Sequence, residues 1–140
     1  MFDEEKTRRK LIAKYLNKKR GFLKNLIYSI LKHKGIYISR DAVIGEKAFF
    51  VHLYNIFIGK GVIIGDKCTI YHNVTIGAKD GEYPHIGNEV VIFCNSTVIG
   101  NITIGNSVKI AAGAVAVSSF GDNAIIGGVP ARIIKKWINK

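Results

Sequence analysis

Small apolar residues recur every six positions between residues 38 and 116 of the chain. Ten of the twelve steps along this row are six residues long, and glycine follows the apolar residue at positions 45, 59, 65, 77, 87 and 105. A six-residue period is neither the alternation of an ordinary strand nor the 3.6-residue period of a helix. It is typical of a parallel β-helix, in which each hexad forms one wall of a triangular coil. The row comprises Ile38, Ile44, Phe50, Ile58, Ile64, Ile70, Ile76, Ile86, Ile92, Val98, Ile104, Ile110 and Ala116.

The repeat is interrupted twice. The third step of the row contains two extra residues and the seventh contains four. The first interruption, residues 51–57, predicts a bulge that can direct His52 into a cleft. The second, residues 77–85, is polar and contains glycine and proline, which predicts a projecting loop. Insertions into one repeat of a solenoid commonly lie on its functional face, so both interruptions are candidate parts of a site.

The register of the repeat also predicts which residues stack. Phe50, Ile70, Ile92 and Ile110 stand three hexads apart, so they should occupy one wall in successive coils. The residues two positions later should form a vertical column whose rungs are about 4.8 Å apart. Such a column has imidazoles at one end and small side chains at the other, and it would suit a long thin ligand whose reactive end lies near the histidines. Its members are His52, His72, Cys94 and Ala112.

Two terminal segments fall outside the repeat and divide the chain into three parts. Residues 1–35 carry apolar pairs at helical spacing and many lysines, which predicts a basic amphipathic helical segment with a break near Gly21. We expect it to pack as a helical hairpin on the β-helix or on a neighbouring subunit; the alternative is contact with anionic lipid. Residues 36–120 are the β-helix. Residues 121–140 are expected to form a loop at Pro130, followed by a short basic helix or an extended tail.

Charge and cysteine content narrow the classes of partner. The chain has 21 Lys and Arg against 10 Asp and Glu, a net charge of +11, which favours an anionic partner such as a phosphorylated cofactor or an anionic membrane. Nucleic acid is not favoured, because no groove-reading module is recognisable. The two cysteines form no CxxC pattern, which indicates neither a disulfide framework nor a zinc site and fits a reduced cytosol.

Three stretches carry a resemblance to a known family: residues 64–77, 98–105 and 127–132. Together they resemble the hexapeptide-repeat acyltransferases, most closely the serine-acetyltransferase-like branch, which includes many O-acetyltransferases of capsule and lipopolysaccharide sugars. The resemblance covers roughly residues 36 to 135. It implies a left-handed β-helix that assembles as a homotrimer, with acetyl-CoA as acyl donor in the groove between two subunits and with no metal.

The resemblance also implies roles for individual residues. His52 occupies the place of the family's general base, which removes the proton of the acceptor hydroxyl as that oxygen attacks the thioester; such a base contributes about 10²–10⁴ in rate. No covalent enzyme intermediate is implied. The candidate cofactor-binding residues are Gly77, Ala78, Cys94, Lys109, Ala112 and Arg132. The candidate acceptor-site residues are Tyr54, Asn55, His72, Tyr83 and His85.

The chain departs from the serine acetyltransferases at three positions and in length. Val51 and Tyr37 stand where those enzymes have acidic residues, and Tyr83 stands where they have a histidine. The first 34 residues are also fewer than their N-terminal helical domain. We therefore expect a hydroxyl of a sugar or glycan precursor as acceptor, with L-serine as the alternative. The expected location is the cytoplasm, with peripheral contact at the inner membrane face as a further expectation.

Two other functions fit the same fold. A metal enzyme similar to the β-helical carbonic anhydrases would hold zinc or iron with three histidines, and His52, His72 and His85 would be its ligands. The chain lacks the His-x4-His pair of those enzymes. A non-catalytic scaffold would be expected to have lost the histidine at position 52, which this chain retains.

Overall fold

The computed structural model describes residues 21–137, which form one helix followed by a parallel β-solenoid. Helix α1 (Phe22–His33) precedes fifteen short strands in this part of the chain. The strands are β1 (Ile36–Ile38), β2 (Val43–Ile44), β3 (Phe49–Phe50), β4 (Ile56–Ile58), β5 (Ile63–Ile64), β6 (Thr69–Ile70), β7 (Thr75–Gly77), β8 (His85–Ile86), β9 (Val91–Ile92), β10 (Thr97–Ile99), β11 (Thr103–Ile104), β12 (Lys109–Ile110), β13 (Val115–Ala116), β14 (Ala124–Gly127) and β15 (Arg132–Lys136).

The strands form three walls, as the six-residue period predicts. The first wall has the order β1-β4-β7-β10-β13, the second β2-β5-β8-β11 in space, and the third β3-β6-β9-β12-β14-β15. Every neighbouring pair is parallel except β14 with β15. Phe50 pairs with Ile70, Ile70 with Ile92 and Ile92 with Ile110, which confirms the predicted register. The result is a left-handed β-helix of about five coils.

The core is the interior of the coils. The repeating apolar residues point inward and are almost completely buried, from Phe50 in the first coil to Ile110 in the fourth. Most strands are two or three residues long and bury one side chain, whereas β1 and β4 bury two each. Stacking the coils buries this column and pairs the strand backbones in parallel hydrogen bonds.

Three sets of turns join the walls, and we name each by its content. The loop corner joins the first wall to the second and comprises residues 39–42, 59–62, 78–84, 100–102 and 117–119. The ladder corner joins the second wall to the third and comprises residues 45–48, 65–68, 87–90, 105–108 and 121–123. The His corner joins the third wall to the first wall of the next coil and comprises residues 51–55, 71–74, 93–96 and 111–114.

The ladder corner is held by a run of side-chain to backbone hydrogen bonds between successive coils. Each side-chain oxygen accepts the N–H of a residue in the coil before it. Asn88 accepts from Asp66 at 2.8 Å, and Asn106 accepts from Asn88 at 2.8 Å. Asp122 accepts a hydrogen bond from the Asn106 N–H at 2.7 Å, and Asp66 accepts one from the Lys47 N–H at 2.9 Å. These four side chains, which we call the Asx ladder, satisfy turn N–H groups that the short strands leave unpaired.

The buried thiol of Cys68 lies at the same corner. It donates a hydrogen bond to the Gly87 carbonyl oxygen at 3.1 Å. Burial raises the pKa of the Cys68 thiol to about 11, because the thiolate would lose its solvation there.

The two ends of the solenoid differ from the repeat. Helix α1 buries Leu31, whereas Phe22, Leu26 and Ile30 stay exposed on its other face; the preceding helix of the predicted hairpin lies outside the described residues. The C-terminal tail takes the extended alternative, because β15 pairs antiparallel with β14. The third wall therefore continues beyond the boundary predicted at residue 120. Within residues 21–137, no helix has the length and apolarity needed to span a membrane.

Candidate active site

The His corner brings two histidines together where the first interruption of the repeat occurs. The ring centroids of His52 and His72 lie 5.4 Å apart with the rings at 62°. Tyr54 lies against His72 at 4.7 Å and 31°, and it also neighbours His52 at 6.3 Å. His52 and His72, which the register placed in one column, thus form a cluster with Tyr54.

The two extra residues of this corner change the predicted column. Backbone hydrogen bonds align Asn73 N–H with the Tyr54 carbonyl and Asn95 N–H with the His72 carbonyl. By this alignment Tyr54, rather than His52, occupies the rung below His72. Counted from the preceding strand, His52 still aligns with His72, so His52 and Tyr54 share one rung. The insertion therefore adds Tyr54 to the first rung of the predicted column, and His52 lies exposed in the bulge.

One nitrogen of His72 lacks a hydrogen-bond partner. Its Nδ1 is buried and has no partner within the described chain. An unpaired buried polar atom is costly, so this nitrogen is available to pair with a group of a bound ligand or of a neighbouring chain.

Aromatic side chains that the sequence reasoning missed complete the cluster. Tyr71 lies with its edge towards His52 at 6.4 Å and stacks on Phe93 at 5.1 Å. The signal was present in the register, because Tyr71 and Phe93 each follow a predicted inward residue by one position. His52 is therefore bordered by tyrosines and an imidazole.

Carboxylates are confined to the other two corners. Residues 21–137 contain seven Asp and Glu residues, and none of them lies at the His corner. Among residues 21–137, no carboxylate of this corner is available to pair with His52. The seven are Asp41, Glu46, Asp66, Asp80, Glu82, Glu89 and Asp122.

The small rungs follow the histidines in the next two coils. Cys94 is half-buried, and its carbonyl accepts the Gly113 N–H at 3.0 Å, which places Ala112 one rung further along. The side chains of both residues are small, and Ala112 is exposed. Cys94 is a free thiol.

The two candidate phosphate-binding cations lie on the third wall. The Lys109 ammonium sits 5.3 Å from the centre of the Trp137 ring. The side chain of Arg132 is exposed and donates to the neighbouring carbonyl oxygen of Ala131 at 2.9 Å. Strand β15 brings Arg132 and Lys135 onto the same wall as Lys109.

Four of the five remaining candidates lie apart from the His corner. Gly77 ends the first wall at the loop corner, Ala78 and Tyr83 belong to the loop itself, and His85 begins β8 on the second wall. Asn55 does lie at the His corner, where its positive φ of 49° makes it the turn residue before β4. One subunit therefore carries the predicted site in separate parts.

Other features of the described residues offer no alternative centre. Residues 21–137 contain no group of three His, Cys, Asp or Glu side chains that could hold a metal ion. A cavity of about 500 Å³ lies between α1 and the first coil, lined by Tyr28, Lys32 and Arg40 among others. Neither His52 nor His72 lines it.

Comparison with known sequences finds serine acetyltransferases. The chain is 37% identical over 132 residues to the serine acetyltransferase of Staphylococcus xylosus, covering 90% of this chain and 61% of the relative. The Mycobacterium tuberculosis serine acetyltransferase is 36% identical over 104 residues, covering 71% and 45%. The chain thus spans less than two thirds of the length of these relatives. No family model matches the chain.

Solved structures give the same relationship. The serine acetyltransferase of Brucella abortus strain S19 superposes with a TM-score of 0.75 at 30% identity, covering 93% of this chain and 55% of that one. The soybean serine acetyltransferase apoenzyme gives a TM-score of 0.75 at 28% identity, covering 90% and 54%. The interrupted hexad repeat, the three-walled coil and these relatives agree, and the chain belongs to the hexapeptide-repeat, left-handed β-helix acyltransferase family.

Proposed function

We propose that the protein is an acetyl-CoA-dependent O-acetyltransferase and that its acceptor is the hydroxyl of L-serine. The observation that carries the proposal is the His52–His72 pair at the interrupted corner, in a chain whose relatives are serine acetyltransferases. These relatives support serine over the sugar or glycan acceptor expected from the sequence alone. L-serine, which was the alternative acceptor in the sequence analysis, is therefore the first candidate.

The proposed chemistry is a direct acyl transfer. His52, which is exposed in the bulge, takes the proton of the serine hydroxyl while the oxygen attacks the thioester carbonyl carbon. A C–O ester bond forms and the C–S bond breaks, and the proton passes to the departing CoA thiolate. His72, whose ring lies beside that of His52, is the side chain proposed to donate a hydrogen bond to the oxyanion that forms on the carbonyl.

The acyl donor is proposed to lie along the small rungs. Cys94 and Ala112 would border the pantetheine arm because both side chains are small. Lys109 and Arg132 supply positive charge for the CoA phosphates, Lys as a point charge and Arg as a fork. Trp137 already holds the Lys109 ammonium at the third wall.

A homotrimer is proposed because the candidate site is divided within one subunit. Gly77, Ala78, Tyr83 and His85 lie at the loop corner or on the second wall, one wall away from His52. A neighbouring copy in a three-fold assembly could bring its loop corner against this His corner. Light scattering should give three times the chain mass, and a monomer that is active would contradict the shared site.

A sugar hydroxyl is kept as the second candidate acceptor. The described His corner has no carboxylate to receive the ammonium of serine, and Tyr54 and Tyr71 offer aromatic faces on which a sugar ring can pack. A shared site could instead receive Asp80 or Glu82 from the neighbouring loop. The acceptor therefore depends on the neighbouring copy.

The test is an assay of CoA release with L-serine, D-serine and a panel of sugars and glycan precursors. We expect turnover with L-serine and none in the His52→Ala variant. Turnover with a sugar and none with serine would replace the first candidate by the second. No turnover with any acceptor, together with no binding of acetyl-CoA, would reject the enzyme.

Location in the cytoplasm and contact with anionic lipid remain predictions. The exposed Phe22, Leu26 and Ile30 of α1, together with Lys24 and Lys32, support testing the second of them. Sedimentation with anionic vesicles, against neutral vesicles as control, should retain the protein if the helix contacts lipid. Equal recovery in both supernatants would remove that prediction.

A further inference from the structure

The loop of residues 78–84 is a closed hairpin with a defined turn. Lys79 and Glu82 exchange two backbone hydrogen bonds of 3.0 Å each. Between them Asp80 has φ 54° and Gly81 has φ 80°. Positive φ at both central residues is what a type I′ turn requires, and glycine is the residue that takes this conformation most readily. The tip of the loop is therefore locally ordered.

One leg of the hairpin is fixed by the ring of Tyr83. The ring lies across the backbone of the preceding coil at Gly59 and Gly61. A Cβ atom at Gly61 would come within 2.5 Å of the ring, and one at Gly59 within 2.9 Å. Only glycine at these two positions lets the ring lie flat against the coil. Tyr83 is half-buried there and packs against the core.

The other leg is fixed on the following coil. The Cβ of Lys79 lies 3.3 Å from the position that a Cβ at Gly100 would take, and the Gly100 N–H donates to the Gly77 carbonyl at 3.2 Å. The loop thus bridges the coil before it and the coil after it. A pocket of about 300 Å³ beside the loop is lined by Glu82, His85 and Thr103, among others.

We propose that Tyr83 is a positioning residue that holds this loop in one conformation. Tyr83 was predicted as a possible acceptor contact, but its ring is directed onto the preceding coil at Gly59 and Gly61. Its effect on the reaction would pass through Ala78 at one end of the loop and Glu82 near the other. This inference rests on the proposed function, in which the loop contributes to the acyl-donor site of an acetyltransferase.

Hydrogen exchange of the full-length protein tests the anchoring without any assay of activity. In Tyr83→Ala we expect exchange of the Lys79 and Glu82 amides to rise about tenfold or more, since their hydrogen bonds break when the loop opens. Tyr83→Phe keeps the ring and should retain wild-type exchange. Val43→Ala, on the exposed face of the second wall, is the matched control. Unchanged loop exchange in Tyr83→Ala, or equal loss in Tyr83→Phe, would overturn the proposal.

Kinetics then separate a positioning role from a contact role. Tyr83→Ala should raise the KM for acetyl-CoA several-fold. Tyr83→Phe should keep the wild-type KM, because the ring and not the hydroxyl anchors the loop. A defect of equal size in Tyr83→Phe would make the hydroxyl a substrate contact instead. Gly61→Ala should reproduce the loop exchange of Tyr83→Ala by displacing the ring. If the wild-type protein transfers no acetyl group, the exchange results still decide whether Tyr83 anchors the loop.

Discussion

The His corner and the ladder corner are two turns of the same coils, yet they use different chemistry. The ladder corner keeps its spacing through the coils and closes them with the Asx ladder, whose side chains pair with backbone N–H groups. The His corner begins with a two-residue insertion, contains no carboxylate in residues 21–137, and leaves Nδ1 of His72 without a partner.

The difference between the two corners shows which part of a repeated fold can hold a functional site. At the ladder corner, side-chain oxygens satisfy turn N–H groups of the preceding coil, so a substitution there acts on stability. At the His corner, the two-residue insertion forms a bulge in which the exposed His52 lies beside His72 and Tyr54. This corner also contains buried Val74 and Ser96, which hold the coils together, so function is available only to its exposed side chains such as His52.

The largest expected effect is on catalysis at the His corner. His52→Ala should lower kcat by about 10²–10⁴, the contribution of a general base, while Tm stays within a degree or two of wild type because His52 is exposed. His33→Ala, which changes an exposed histidine on α1, is the matched control. Acetyl transfer and thermal unfolding measured on the same preparations check both parts. Wild-type turnover in His52→Ala would assign the base to another group.

At the ladder corner the effect should appear in stability alone. Asn88→Ala removes the acceptor of the Asp66 N–H, so the free energy of unfolding should fall by about 1 kcal/mol. Water can partly replace this exposed hydrogen bond, which keeps the loss small. Urea unfolding and kcat measured together check the prediction, with kcat expected within twofold of wild type. A tenfold loss of kcat at unchanged stability would break the distinction between the corners.

The two corners should also differ in the reactivity of their cysteine thiols. Cys94 at the His corner is half-buried and should react with an alkylating reagent at pH 8, whereas Cys68 at the ladder corner should react only on unfolding. Mass spectrometry of the labelled peptides measures both. Labelling of Cys94 should slow when CoA is present. Faster labelling of Cys68 than of Cys94 would contradict the structure.

The last effect is of similar size and is the pH dependence of stability that Cys68 imposes. An unfolded thiol releases its proton near pH 8.5, whereas the pKa of buried Cys68 is raised to about 11. The folded state therefore holds more protons in this window, and stability falls as pH rises. The fall should be about 1 kcal/mol between pH 9 and pH 10, and it should be absent from Cys68→Val. Parallel curves for the two proteins would show that Cys68 contributes nothing.

Most of the fold could be predicted because it depends on one feature, the inward apolar residue that recurs every six positions. Each inward residue of the row is selected by burial, so counting hexads gave the pairing of Phe50 with Ile70 and of Ile92 with Ile110. The tail was open between helix and strand, because Ile133 and the lysines after it fit either. Pairing of β15 with β14 resolves it through backbone contacts that a local pattern does not contain.

The candidate site could be predicted less completely. Counting forward from β3 placed His52 on the rung of His72, but the path of the two inserted residues depends on the turn at Asn55 and moves Tyr54 onto that rung. The inward direction of Tyr83 depends on Gly59 and Gly61, which lie a full coil earlier in the chain. Tyr71 was overlooked because the column was counted two positions after each inward residue, whereas Tyr71 and Phe93 stand one position after it.

Titration of amide chemical shifts with CoA tests most directly whether the His corner is the site. Shifts should concentrate at His72, Cys94 and Ala112 and on the third wall near Lys109, while Asn88 and Asn106 at the ladder corner should not move. Contact between subunits predicts further shifts at Gly77 and Ala78. Shifts confined to the ladder corner, or none at saturating CoA, would contradict the account.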